Sequence, residues 1–435
     1  MKFNSELVKS GAVIAVGVSG GRDSVALLHY LAENREKFGV EVKAICVEHG
    51  IRECATRERL GVQELCERLG VECKVFKVDA LGYAKEKKLT VEQSARILRY
   101  DCFESAVKDG FCDTIATAHH LSDNVETVLM RIFRGTGIKG LGGIKERRDF
   151  YIRPLLSTPR KEIDEYVEKY NLPYFEDETN VDTRYTRNYI RHKVLPVILD
   201  RYPGAEENVE RLAKLSAVDE AHFEKIVNEK IKTMSYGAVG VSVDETKDMA
   251  VFSRLIRRAF SLLGVDVDVE DRHVSLIESL TSGENGDTLD MPYGVKVIRE
   301  YDDIVFFREG EREDREIPLV QKNFEFTLGE NFRVSEADKR GTTGLFIDYD
   351  KACGAVFRYK RDGDVFKRFG GGTKSLGDYF TDTKLPVRIR DRVVVLARDK
   401  EVLAVLGVEI SEKVKIDENT KNIIELTGGE YVLGR

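Results

Sequence analysis

A short run, Ala12-Val13-Ile14-Ala15-Val16-Gly17-Val18, passes directly into Ser19-Gly20-Gly21-Arg22-Asp23-Ser24 and then into Val25-Ala26-Leu27-Leu28. The first run is apolar and rich in Val and Ile, as suits a buried strand. The last has Val25, Leu28 and Leu31 at helical spacing. A strand, a glycine turn and a helix start point to an α/β architecture with a built-in anion site. The glycines let backbone N–H groups converge, and the helix N-terminus adds a partial positive charge. There is no G-x-x-x-x-G-K-[ST] here, and no lysine placed to reach a terminal phosphate. Asp23 holds the central place instead. Beside a polyphosphate it repels the ligand unless a divalent cation lies between them, so the loop suggests a nucleotide with Mg²⁺. The alternative is a tight turn with Asp23 as helix N-cap, worth about 1 kcal/mol.

At 435 residues the chain is long for one core, which suggests two or three domains. No apolar run approaches the length of a membrane span, and the N-terminus lacks a signal-peptide pattern. The seven cysteines form no C-x-x-C pair, which fits reduced thiols in a cytoplasm and argues against a zinc ribbon or an iron–sulfur cluster. A net charge of −7 argues against general nucleic-acid binding, so any such contact must come from a local patch.

Taken in order, residues 42–47 read as a second buried strand ending in Glu48-His49-Gly50. Polar residues at such a strand end are where α/β sheets bind ligands, so His49 is a candidate beside a packing role. A helix over 55–69 and a third strand over 72–78 complete a parallel βαβ pattern. Thr90 can cap the next helix, where Arg96 and Arg99 share a face. That face is either a solvated stripe or a phosphate clamp. A fourth strand, 113–118, leads into His119-His120-Leu121-Ser122-Asp123-Asn124-Val125-Glu126. Asp123 and Glu126 read either as a capping box, with Asp123 as N-cap, or as two carboxylates at the sheet edge. From Arg131 to Lys161 nine basic residues face two acidic ones, with five glycines among them, so a flexible loop able to contact RNA phosphates is expected.

Ser19-Gly20-Gly21-Arg22-Asp23-Ser24 resembles the PP-loop of the ATP pyrophosphatases, which cleave ATP between its α and β phosphates. The stretch Thr117 to Leu141 resembles one branch of that superfamily, the tRNA(Ile)-lysidine synthetases. Further matches follow in order: Arg153-Pro154-Leu155-Leu156, Arg160-Lys161-Glu162-Ile163, Glu176-Asp177-Glu178-Thr179-Asn180 and Arg187-Asn188-Tyr189-Ile190-Arg191-His192. Glu48 and Ser122 are small departures, each standing where Asp is common. The stretch from Arg358 to Arg388 resembles the C-terminal domain of the longer members; most of its aromatics are expected in the core.

The fold class that follows is α/β: a Rossmann-like parallel sheet carrying the PP-loop, a mostly helical middle domain, and a small α+β C-terminal domain. The expected bounds are 1–200, 201–315 and 316–435. The resemblance implies ligation of L-lysine to C2 of the wobble cytidine of a CAU-anticodon isoleucine tRNA, with ATP adenylating that cytidine first. It implies that Ser19, Gly20, Gly21, Arg22, Asp23, Ser24 and His49 hold ATP and that Asp23 and Asp123 are candidates for Mg²⁺. Arg99, with Arg96 second, would stabilise the α-phosphate. His119 and Glu126 would sit at the reacting base, Glu126 recognising or deprotonating the lysine. A cytoplasmic enzyme with tRNA, ATP and lysine as partners, no membrane, and a homodimer left open completes the expectation. A PP-loop tRNA thiolase, another AMP-forming synthetase, and a non-catalytic tRNA-binding protein stand as alternatives.

Overall fold

β1 (Val13–Gly17) is the axis of the N-terminal half. Its side chains alternate between the two sheet faces, so both faces must be covered. Ile14 and Val16 pack with helices α1 (Arg22–Glu33) and α2 (Ala55–Leu69), while Ala15 packs with Phe103 and Ala106 of α3 (Val91–Lys108). Thr90 caps α3 in a capping box with Gln93, as the sequence suggests. The computed structural model describes residues 1–50, 55–175, 182–265, 269–310, 314–338 and 344–429. These fall into two units, Met1–His222 and Phe223–Arg435. The matched motif Glu176 to Asn180 lies outside the described residues.

β2 (Glu41–Glu48), β3 (Glu72–Lys77), β4 (Thr114–Ala116), β5 (Arg147–Arg148) and β6 (Tyr151–Ile152) complete the first sheet, in the order β3-β2-β1-β4-β6-β5. All neighbours pair in parallel except β5, which is antiparallel to β6. The chain winds outward from β1 to β3, then returns to the other side of β1 as β4. Loops leaving the carboxyl ends of β1 and β4 therefore diverge and open a crevice, where open α/β sheets bind ligands. Helix α4 (Leu121–Arg134) leaves β4 at that crevice, and α5 (Arg160–Lys169) follows β6.

The basic segment 131–161 is not the single flexible loop expected. It holds β5, β6 and a helical turn at Ile138–Leu141. Arg131 donates from Nη1 to the carbonyls of Gly140 (2.9 Å) and Gly143 (2.8 Å). Asn124 Oδ1 accepts from the Ile144 N–H at 2.7 Å. Arg153 is buried and donates to the Lys145 carbonyl at 2.6 Å. These arginines organise backbone, which leaves the exposed charge to Arg134, Lys139, Lys145, Arg148 and Lys161.

Helix α6 (Ala205–Lys230) passes through the boundary between the units. In the second unit, α7 (Met249–Leu262) and α8 (Asp271–Leu280) cover a sheet that includes the antiparallel strands Thr288–Met291, Val295–Glu300 and Asp303–Arg308. The C-terminal strands form two further sheets. The short helix Leu376–Asp382, capped by Ser375, turns Leu376 and Phe380 inward as expected. Phe366 and Tyr379 are core as well. Arg358, part of the stretch read as basic and aromatic, is buried against Asp364 and unavailable to RNA. Residues on either side of 315 belong to one unit and are tied by Arg388, which donates to Glu300 Oε2 at 3.2 Å and to the Ser235 carbonyl at 3.0 Å. Among the described residues no helix is long and apolar enough to cross a membrane.

Candidate active site

The loop after β1 is tight because Gly20 has φ +83°, and Phe175 closes over it by donating its N–H to the Gly20 carbonyl at 2.9 Å. Ser24 Oγ donates to the Gly21 carbonyl at 2.9 Å and accepts from the Ser19 N–H at 3.2 Å. The N-cap of α1 is Gly21, without a side-chain cap, so the capping alternative for Asp23 does not hold. Asp23 lies in the first turn with its carboxylate turned to the crevice residues: Arg160 Nη1 is 2.8 Å from Oδ1 and 3.0 Å from Oδ2. Oδ1 is buried and makes no hydrogen bond. Burial raises the Asp23 carboxyl, His120 and Arg160 pull it down, and the nearby Asp123 pushes it up again.

Arg22 does not join this group. Its guanidinium donates to Asp164 and to the Tyr174 hydroxyl, each at 2.7 Å, and lies over the Tyr174 ring. It fastens α1 to α5 and leaves the phosphates to the loop backbone and the two serines.

The carboxylates after β4 do not form the capping box that is one of their two readings. Helix α4 begins three residues earlier, with His120 as N-cap, and Asp123 Oδ2 accepts from the His120 N–H at 3.1 Å. The early start is fixed by a tertiary bond, from the Leu121 N–H to the Thr158 carbonyl at 3.0 Å. Glu126 does not reach back. It is fully buried, and both its oxygens are taken: Oε1 by Arg191 Nε at 2.6 Å, Oε2 by Arg187 Nε at 2.7 Å and Arg191 Nη2 at 3.0 Å. Asp123 Oδ1 accepts from Arg187 (3.0 Å) and Arg191 (3.1 Å). Burial works against the Asp123 anion, but His120 and Arg187 outweigh it and hold the carboxyl at about 2.

His120, to which no role was given from sequence, stands between the two aspartates: Nε2 is 3.8 Å from Asp23 Oδ2 and 3.6 Å from Asp123 Oδ2. Arg160, Arg187 and Arg191 were likewise missed as site residues. The signal for the last pair was present, two arginines one helical turn apart in a matched motif. His119 sits against Thr117 Oγ1 at 3.0 Å, and burial lowers it to about 4. His49, at the end of β2, is lowered to about 4 by burial and by Arg99. Arg99 is an exposed residue with no carboxylate partner among the described residues; partial loss of water around its guanidinium and the like charge of Arg96 lower its pKa. A cation without a carboxylate partner among the described residues, close enough to His49 to act on it, suits an anionic ligand.

Among the described residues no three His, Cys, Asp or Glu side chains converge as a complete metal site. The donor set nevertheless fits a Mg²⁺ carried by a nucleotide. Asp23 has a buried oxygen without a hydrogen bond, Asp123 is held ionised, and Mg²⁺ characteristically takes its remaining ligands from phosphate and water.

The shifted groups make the fold acid-sensitive. His49 and His119, ordinarily at 6.5, are near 4 in the fold, so their contribution is whole above 6.5 and lost as pH falls toward 4. Asp123, ordinarily 3.8, gives up its share below that, toward 2. Asp23, raised, runs the opposite way and offsets part of the loss. Urea denaturation should give a lower midpoint at pH 5 than at pH 7, and His49→Asn with His119→Asn should flatten that difference.

Known proteins resemble the chain over its whole length. Residues 2–198 match the family described as PP-loop domain, and residues 356–426 the family described as TilS substrate C-terminal domain. A tRNA(Ile)-lysidine synthase of Clostridium tetani is 33% identical, covering 98% of this chain and 96% of its own. One of Clostridium acetobutylicum is 34% identical over 97% of this chain and 96% of its own. One of Thermotoga maritima is 28% identical over 98% and 97%.

Proposed function

The chain belongs to the tRNA(Ile)-lysidine synthase family, and from that premise we propose that it joins L-lysine to C2 of the wobble cytidine in a CAU-anticodon isoleucine tRNA, at the expense of ATP. The single observation that carries the reading is the crevice itself, where a phosphate-binding loop, two aspartates and a buried glutamate meet at the carboxyl edge of β1 and β4.

The chemistry divides into two steps. The cytidine C2 oxygen attacks the α-phosphorus, the bond to the β-phosphate breaks, and pyrophosphate leaves. The lysine ε-nitrogen then attacks C2, loses a proton, and AMP departs with the oxygen. In the first step the backbone of Ser19 to Ser24 and the N-terminus of α1 hold the phosphates. Arg99 meets the charge that builds at the α-phosphate. Asp23 and Asp123 would hold a Mg²⁺, which would supply neutralisation of the phosphate oxygens. In the second step Glu126 binds the ε-ammonium and orients it. Glu126, with both oxygens on guanidiniums, becomes available for a proton only after an arginine moves away. His119, neutral above about pH 4, can hydrogen-bond the target base without adding a charge. That base must be unstacked from the anticodon loop to reach the crevice. The exposed Phe133, Tyr185 and Tyr189 offer ring faces on the same unit. Exposed basic residues between Arg134 and Lys161 suit the RNA backbone.

Among the described residues five buried or partly buried free cysteines and one exposed, Cys353, fit a reducing cytoplasm. Digestion of a CAU-anticodon isoleucine transcript after incubation with ATP and lysine should release one modified cytidine per tRNA, heavier by lysine less water. An unmodified transcript under turnover conditions would contradict the reading.

A further inference from the structure

Three acids and three arginines balance in the crevice: Asp23, Asp123 and Glu126 against Arg160, Arg187 and Arg191. An ammonium entering alone adds an uncompensated charge to a partly buried cluster, which is unfavourable. It must also displace a guanidinium, because neither oxygen of Glu126 is free.

The two arginines on Glu126 are not equivalent. Arg187 is further fixed by a bond from Nη2 to the Asp123 carbonyl at 3.3 Å, in addition to Asp123 Oδ1. Among the described residues Arg191 has only carboxylate partners, on Glu126 and Asp123. It stands on a π-helical turn, Ile190–Val194, an irregularity that recurs where helices adjust at functional sites. Its partner Asp123 also faces His120, whose Nε2 lies 3.6 Å from Asp123 Oδ2 and 3.8 Å from Asp23 Oδ2, which links Arg191 to the phosphate-loop side of the crevice. A polyanion arriving there offers Arg191 an alternative partner.

We propose that Arg191 is a charge-exchange residue: phosphates bound at the Ser19–Ser24 loop draw its guanidinium off Glu126, and the vacated carboxylate oxygen, Oε1, takes the amine of the second substrate while Arg187 stays on Oε2. Arg191 is thus a positioning residue, coupling the two subsites without touching the reacting atoms. The coupling runs both ways, since an amine seated on Glu126 frees Arg191 for the phosphates.

This rests on Glu126 as the amine site, so the experiment tests both. Lysine binding to the full chain is measured by calorimetry, alone and with a non-hydrolysable ATP analogue. The analogue should tighten lysine by about 5–150-fold, the usual range of coupling between sites. Pyrophosphate should reproduce much of the effect and adenosine should not. In Arg191→Gln lysine should bind without nucleotide about as tightly as the loaded wild type, with the coupling gone. Wild-type lysine affinity indifferent to the analogue, or adenosine as effective as the analogue, overturns the inference; both use the unaltered protein and need no variant to fold. Glu126→Gln separates the two claims. Loss of lysine binding there keeps the amine site whatever the coupling shows, whereas wild-type affinity there removes the site and the inference with it.

Discussion

Glu126→Ala abolishes transfer of lysine to tRNA, with a loss of at least about 10²–10⁴-fold, the range for a single acid–base group. The side chain is fully buried in the first half of α4, and no other carboxylate described nearby can replace it on the same two guanidiniums except Asp123. The loss should fall on the second step. Asp23, the phosphate loop and Arg99 are untouched, so ATP binding and tRNA-dependent pyrophosphate release should survive while lysine incorporation disappears. Removing the acid also leaves Arg187 and Arg191 to share Asp123, and breaking a buried pair typically costs about 3–5 kcal/mol. Glu126→Gln keeps the shape and some hydrogen bonding and should lose lysine transfer with a smaller stability cost. Retained lysine transfer in a folded Glu126→Ala protein contradicts the role.

Asp364→Ala destabilises the second unit by about 3–5 kcal/mol. Arg358 and Asp364 are among the least exposed charged residues of the chain, with side chains 2% and 1% accessible. They form two parallel bonds, at 2.9 and 2.7 Å, and Arg358 also donates to the carbonyls of Tyr359 and Asp399. Asp364 Oδ2 accepts in addition from the Arg361 N–H at 2.8 Å. Truncation leaves a buried guanidinium without its counter-ion, and the turn from Arg361 to Asp364 without its anchor. For a unit of this size the calorimetric transition should move down by roughly 10 °C. Nucleotide binding, a property of the first unit, should be retained. A shift below about 2 °C would mean that the pair is compensated elsewhere.

The strand, glycine loop and helix from Val13 to Glu33 were legible because they are local: an apolar run, glycines where the backbone turns, and helical spacing. The same holds for α2, α3 and the short helix at Leu376, whose signals lie within one turn of each boundary. What could not be read locally was decided by contacts between segments distant in the chain. Asp123 and Glu126 have the spacing of a capping box, yet α4 starts at Leu121 because its N–H finds the Thr158 carbonyl. Arg22 sits inside the phosphate loop in sequence but is claimed by Asp164 and Tyr174. Arg131, Arg153 and Arg358 count as charge in a sequence and act as backbone or carboxylate clamps in the fold. His119 and His120 are adjacent, and only the three-dimensional arrangement shows that His120 stands between the aspartates. The arginines on Glu126 come from a segment far along the chain, where their spacing was visible but their target was not.

The central claim is that one crevice activates a tRNA base with ATP and then transfers lysine to it. The most direct measurement is AMP release from ATP by the full chain, with and without an unmodified CAU-anticodon isoleucine tRNA and with each amino acid in turn. The account predicts sustained release only when that tRNA and lysine are both present, with lysine retained in the RNA. Release that proceeds equally without tRNA, or with tRNA and a sulfur donor in place of lysine, would contradict it.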